Sequence, residues 1–259
     1  MNSVTPLKIY RILLLIVASL MFLLIAIGLN VIFAFSRRRK ARAAATGAML
    51  WAKTMCRIFG VRVVTNLPPA EGGVFTVCNH ISYLDIFVLG SLRPSSFLSK
   101  HEVRGWPLIG LLASLGGTVF VNRESKRTAV DSIKKIRQKI EEGIAVIIFP
   151  EGTTSNGKRI MPFKSAFFKV PASMNIPVAP ASIRYAPEIS DKVAWYGDME
   201  LAPHFWQIIG VRRIDAVLHF GPPVSVPDGA SQVQERKLLC SQVYEYVVEG
   251  FNACGTMKR

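Results

Sequence analysis

Residues 12–35 run without a single charge, in Leu, Ile, Val, Ala, Phe and Met relieved only by Ser19, Gly28 and Asn30. As a helix at about 1.5 Å per residue this run reaches roughly 36 Å, enough to cross a hydrocarbon core of about 30 Å with some tilt. A secretory signal peptide is the competing reading, since Ala34-Phe35-Ser36 places small residues near the end of the run. The run is longer than the usual apolar core of about 7 to 15 residues, and Arg37-Arg38-Arg39-Lys40 would follow the cut at once. A retained membrane anchor is expected.

Lys and Arg gather on the cytoplasmic side of a membrane helix. Here Arg37, Arg38, Arg39, Lys40 and Arg42 follow the run, against Lys8 and Arg11 before it. The bulk of the chain is therefore expected in the cytoplasm, at a bacterial inner membrane or its equivalent. The 32 Lys and Arg outnumber the 17 Asp and Glu to give +15, but ten of those cations precede the first acid, Glu71. A uniformly basic nucleic-acid binder does not concentrate +10 of its +15 in 70 residues, and no nucleic-acid partner is expected. Half of the chain is apolar, which excludes intrinsic disorder.

Residues 41–60 read as a second, amphipathic helix, with Ala48, Trp51, Ala52, Met55 and Phe59 on one face and Lys53 and Arg57 on another. That pattern suits the interface of anionic lipid and equally an ordinary helix packed on a core. Residues 1–60 thus form a membrane-anchoring two-helix segment, and residues 61–259 a single α/β domain. Within the latter, β-rich apolar runs are predicted as strands at 61–65, 74–78, 96–99, 118–121, 145–149, 178–184 and 217–220. Helical stretches are predicted at 83–92, 107–115, 126–142, 164–174 and 232–251. Such alternation predicts a mostly parallel central sheet flanked by helices. Cys56, Cys78, Cys240 and Cys254 form no C-x-x-C pair, so neither a metal site nor a disulfide is indicated.

Open α/β sheets place ligands outside the carboxyl ends of their strands. Three predicted strand exits carry polar residues. After 74–78 comes Asn79-His80-Ile81-Ser82-Tyr83-Leu84-Asp85. With a helix beginning near Ser82, Asp85 can accept from the His80 imidazole, fix its tautomer and leave the other ring nitrogen as a base. A helix-capping Asn-His with an incidental acid has the same spacing, and spacing alone does not choose. The second exit ends at Asn122-Arg123, whose guanidinium suits a phosphate, although an arginine there is also commonly just solvated. The third delivers Glu151 into the loop Gly152-Thr153-Thr154-Ser155, where backbone N–H groups can cradle an anion and Glu151 can accept from hydroxyls; a plain strand-to-loop turn reads the same way.

Taken in order, these segments resemble the 1-acyl-glycerol-3-phosphate acyltransferase family. Asn79-His80 through Asp85 matches its His-x4-Asp motif, the stretch ending at Arg123 its second motif, Phe149-Pro150-Glu151-Gly152-Thr153 its third, and Ile176-Pro177-Val178-Ala179-Pro180 its fourth. Lys100 and Lys164 also fall where the family often has lysines, while Ala166-Phe167 departs from its frequent Gly-Ala. The resemblance implies transfer of an acyl group from acyl-CoA or acyl carrier protein, as co-substrate, to the sn-2 hydroxyl of lysophosphatidate, giving phosphatidate. No other cofactor is implied. It makes His80 the general base and Asp85 its partner. Arg123, helped by Lys100, would hold the acceptor phosphate. Glu151 and Gly152, with Asn79 and Thr153 nearby, would line the acceptor site, and Pro180 would shape the acyl pocket. No G-x-S-x-G elbow is present and no Cys sits beside a candidate His, which is consistent with direct transfer. Other readings are an acyltransferase for another lysolipid such as lyso-ornithine lipid, a lipid or thioester hydrolase using the same pair, and a membrane-anchored binding protein.

Overall fold

Phe75-Thr76-Val77-Cys78 and Ala145-Val146-Ile147-Ile148 are uncharged without alternation, the pattern of strands covered on both faces. The computed structural model, which describes residues 6–106, 109–121, 126–226 and 232–256 less the side chains of 126–130 and 232, buries all eight. They are β2 (Phe75–Cys78) and β5 (Ala145–Ile148), adjacent strands of a seven-stranded sheet. The others are β1 (Val61–Thr65), β3 (Ser95–Lys100), β4 (Val119–Val121), β6 (Val178–Tyr185) and β7 (Ile214–Phe220), in the order β1-β7-β6-β2-β5-β3-β4. All neighbours are parallel except β6 and β7. In register, Phe75 lies between Val146 and Val178, so β2 exits at the middle of the sheet with β5 and β6 beside it.

Helices α1 (Pro6–Ile32) and α2 (Arg37–Phe59) precede the sheet, and α3 (Leu84–Gly90), α4 (Ile109–Leu115), α5 (Lys126–Glu141), α6 (Lys169–Ser173), α7 (Pro187–Val193), α8 (Leu201–Ile208) and α9 (Gln232–Cys254) connect and cover it. The predicted helix at 164–174 is a 3-10 turn, Ser165–Phe168, followed by α6. Strand β7 starts at Ile214, three residues before expectation, because the charged, partly buried Asp215 interrupts the apolar run. Helices α7 and α8 were not predicted. Each is one to two turns long and carries a proline, so neither shows a sustained helical period.

α2 packs across β1 and β3 and against α3, and α1 lies on α2. A ladder of rings joins them. Phe22 of α1 stacks on Trp51 at 5.4 Å, Trp51 meets Phe87 edge-on at 5.3 Å, and Phe59 contacts both Phe87 and Phe205. Gly60 ends α2 in the left-handed region at φ 71°, and a Cβ there would stand 2.4 Å from the carbonyl oxygen of Arg212. Only glycine lets the chain turn so closely under that backbone.

The same Arg212 segment receives the start of α1. The buried Arg11 guanidinium donates to the carbonyls of Ile209 and Arg212, both at 3.1 Å, and to that of Val211. Lys8 stands over the Trp206 ring at 4.8 Å. At the other end of α1, Arg37 donates to Gln138 and Arg42 to the carbonyl of Glu142 at 2.9 Å, both at the end of α5. Both cationic flanks of the apolar run therefore rest on the α/β body. The outward stripe Leu13, Ile16, Val17, Leu20, Leu24, Ile27 and Val31 remains exposed, to 70% at Leu24 and Val31.

Candidate active site

β2 ends at Cys78, and the next seven residues turn into α3 with Asp85 in its first turn. His80 Nδ1 meets Asp85 Oδ2 at 2.8 Å, and the same oxygen accepts the backbone N–H groups of Ile81 at 2.7 Å and Ser82 at 3.0 Å. Asp85 Oδ1 accepts the hydroxyl of Tyr185, at the end of β6, at 2.7 Å. A carboxylate that already accepts from Ile81, Ser82 and Tyr185 can only accept from the ring as well, so Nδ1 carries the hydrogen and the lone pair of the ring lies on Nε2. Asp85 is wholly buried, whereas the His80 side chain keeps 16% of its surface exposed. Phe149 stacks parallel to the imidazole, with centroids 3.9 Å apart and planes 8° from each other.

The third strand exit is tied to the first through the backbone of His80. Its N–H donates to Glu151 Oε1 at 2.8 Å, and its carbonyl accepts from Ser155 N–H at 2.8 Å and Ser155 Oγ at 3.1 Å. Glu151 Oε2 accepts the N–H of Met161 at 3.1 Å, and the residue is 2% exposed. Burial raises its carboxyl to about 7, against the two N–H donors, which favour the charged form. Gly152 takes φ 77° with the Lys164 ammonium 2.9 Å from where a Cβ would stand, and Thr153 is exposed on the same loop. The loop thus presents a cation above a bare backbone, a surface suited to an anionic group.

Three residues expected to line the acceptor site or the acyl pocket also make backbone contacts. Glu151 is the clasp just described, with each oxygen on a backbone N–H. Asn79 is 1% exposed, and its amide both donates to the carbonyl of Ile183 at 3.0 Å and accepts its N–H at 2.8 Å, bolting β2 to β6. Pro180 is buried in β6 opposite Val77, its carbonyl accepting from Gly221 at 3.0 Å. Its missing N–H faces that same flank, so the pairing with β2 loses nothing. Lys100 ends β3 as an exposed cation in register with Val121. Arg123 lies outside the described residues.

Tyr185 and Phe149 are the neighbours of the pair that reading by motif did not single out for a role. Tyr185 closes β6, and the rule that strand exits carry function would have pointed to it. The thiol of Cys78, two residues before His80, is driven far up by burial and by Asp85, which leaves it no use as a nucleophile. Among the described residues no cluster of three or more His, Cys, Asp or Glu side chains is placed to hold a metal ion.

A paired imidazole stands at a central strand exit of a mostly parallel α/β sheet, an arrangement that can take a proton from a hydroxyl or water. Residues 59–184 match the family model described as Acyltransferase, a stretch that contains every site residue expected from sequence. The chain is 32% identical over 190 residues to the 1-acyl-sn-glycerol-3-phosphate acyltransferase of Neisseria gonorrhoeae, covering 73% of each chain. It is 36% identical over 190 residues to the lyso-ornithine lipid O-acyltransferase of Brucella abortus, covering 67% of this chain and 71% of that one. The crystal structure of the 1-acyl-sn-glycerophosphate acyltransferase PlsC from Thermotoga maritima shares the fold, with a TM-score of 0.63 at 21% identity over 96% of this chain and 99% of that one. The chain belongs to the 1-acyl-sn-glycerol-3-phosphate acyltransferase family.

Proposed function

We propose that the protein transfers a fatty acyl group from the thioester of acyl-CoA or acyl carrier protein to the sn-2 hydroxyl of lysophosphatidate. The His80–Asp85 pair, with its buried, fully bonded carboxylate, is the observation that carries this reading. Nε2 of His80 takes the hydroxyl proton as the acceptor oxygen attacks the thioester carbonyl. The tetrahedral intermediate collapses, the carbon–sulfur bond breaks, and the imidazolium returns the proton to the leaving thiolate. Asp85 stabilises the imidazolium through Nδ1–H. No acyl-enzyme is formed, in keeping with the four buried cysteines, whose thiols are all raised by burial. Lys100, Lys164 and Arg123 supply positive charge for the acceptor headgroup.

Lyso-ornithine lipid is the second reading of the acceptor, favoured by the 36% identity to an enzyme of that name. Residues 1–60 are read as the anchor and residues 61–259 as the catalytic domain, facing the cytoplasm. The exposed stripe of α1, with the exposed Ile109 and Leu111 of α4, a helix packed on α1, would enter the bilayer and present the site to lipid.

The deciding experiment crosses lysophosphatidate and lyso-ornithine lipid with acyl-CoA and acyl carrier protein donors, using a labelled acyl chain, for the native protein and His80→Ala. Labelled phosphatidate from the native protein only is the expected result. Label in ornithine lipid alone would transfer the proposal to the second acceptor. Release of free fatty acid despite abundant lysolipid would mean hydrolysis, and full transfer by His80→Ala would remove His80 as the base.

A further inference from the structure

The two oxygens of Asp85 are held from opposite sides. On Oδ2 three donors converge from its own loop: His80 Nδ1–H and the N–H groups of Ile81 and Ser82. On Oδ1 the donor is the hydroxyl of Tyr185, 100 residues further along the chain and 1% exposed. The first three come from the same short turn and move with it. The fourth comes from a central strand bolted to β2 by Asn79, so it is the bond that refers the pair to the rigid sheet.

We propose that Tyr185 is a positioning residue for the His80–Asp85 pair, fixing the rotation of the carboxylate and drawing off part of its charge, and so setting both the aim and the basicity of His80. This rests on the reading of His80 as the base. A carboxylate oxygen buried without a donor is costly, and one that loses a donor concentrates its charge on what remains. Burial, reinforced by Asp85, drives the Tyr185 phenol far above the ordinary tyrosine range, so it stays a donor at any working pH. Removing the O–H lets Asp85 pull harder on the His80 proton and raises the pH at which His80 becomes a free base.

The titratable groups around the pair are Cys78 on β2, Cys56 on α2, Cys254 at the end of α9 and Glu151 after β5. The thiols are raised by burial to about 11 at Cys56, about 12 at Cys254 and further at Cys78, so of these neighbours Glu151 is the one that changes charge near neutral pH. It is present in every protein compared, so its effect is common to them.

The test compares native protein, Tyr185→Phe and protein with 3-fluorotyrosine at position 185, by the pH profile of kcat and by nuclear magnetic resonance titration of the His80 ring, which needs no turnover. In Tyr185→Phe, kcat falls about tenfold or more, the KM of each substrate stays within about twofold, and the His80 titration moves up. The fluorinated phenol, a stronger donor of the same shape, moves that titration down; should Tyr185→Phe fail to fold, this comparison decides. A His80 titration unmoved in either folded variant overturns the inference, as does a raised acceptor KM at unchanged kcat, which would make Tyr185 a substrate contact. His80→Ala in parallel separates the two claims: activity there refutes His80 as the base, whereas an inactive His80→Ala beside a native-like Tyr185→Phe refutes Tyr185 alone.

Discussion

The Glu151 carboxylate holds His80 by its backbone, accepting the His80 N–H at 2.8 Å with one oxygen while the other accepts from Met161 at 3.1 Å. Ser155 takes the His80 carbonyl with both its N–H and its hydroxyl. The ring is thus aimed by Asp85 from α3, and the main chain beneath it is fixed by the loop that follows β5. Two sequence motifs, whose His80 and Glu151 lie 71 residues apart, form one mechanical unit, in which Glu151 is a clasp.

Replacing Glu151 by Gln preserves its shape but turns one acceptor into an amide that faces an N–H donor. One of the two clasps must break, with an expected loss of about 1–3 kcal/mol in denaturant unfolding. With His80 as the proposed base, activity should fall at least about tenfold through kcat, since the ring loses its alignment. A variant with native stability and kcat would show that the clasp is dispensable.

Glu151 also makes stability depend on pH. Burial raises its carboxyl from 4.5 to about 7, so the folded protein holds a proton that the unfolded chain has released between those values. Folding is favoured by this group below pH 4.5, and that contribution is lost as pH rises through 7. The full shift corresponds to roughly 3 kcal/mol as an upper bound. Unfolding at pH 5 and pH 8 should therefore show the native protein losing more stability on the alkaline side than Glu151→Gln, and parallel losses would refute the buried protonated carboxyl.

Asp85→Asn tests the charge apart from the geometry. With its oxygen in the place of Oδ2 the amide can still accept from His80, Ile81 and Ser82, and its nitrogen can donate to the Tyr185 oxygen. The fold should persist while imidazolium stabilisation is lost, so kcat is expected to fall by about 10²- to 10⁴-fold with little change in the KM for lysolipid. A fall in melting temperature that accounts for the lost activity would point to structure as the cause.

How much of this was legible follows from the distance over which each residue acts. His80 and Asp85 lie within one turn of chain, so their spacing already brought their side chains together. Strands β2 and β5 announced themselves as unbroken apolar runs because both of their faces are covered. The partners of Tyr185, Asn79 and Glu151 lie 100, 104 and 71 residues away, and no local pattern encodes a register across a sheet. The polar character of Asn79 and Glu151 was visible, but not that it is spent on backbone. The apolar run was legible as a helix, whereas its resting place was not, because Arg11 finds its carbonyls some 200 residues further along.

That last contact sets the topology to be measured. A helix of 27 residues is about 40 Å long; its start touches the α/β body through Arg11, and Arg37, which opens α2 just past its other end, touches the same body. If those contacts hold at the membrane, α1 lies along one leaflet with its Leu13-to-Val31 stripe inserted, and no part of the chain reaches the far side. The native cysteines are all buried, so single cysteines introduced at Lys8, Arg38 and the exposed Asn252 can be read against a low background. In sealed vesicles a membrane-impermeant maleimide should label all three from the same side. Labelling of Lys8→Cys only from the side opposite Asn252→Cys would mean that α1 leaves the body and spans the bilayer, and that the Arg11 contacts are broken there.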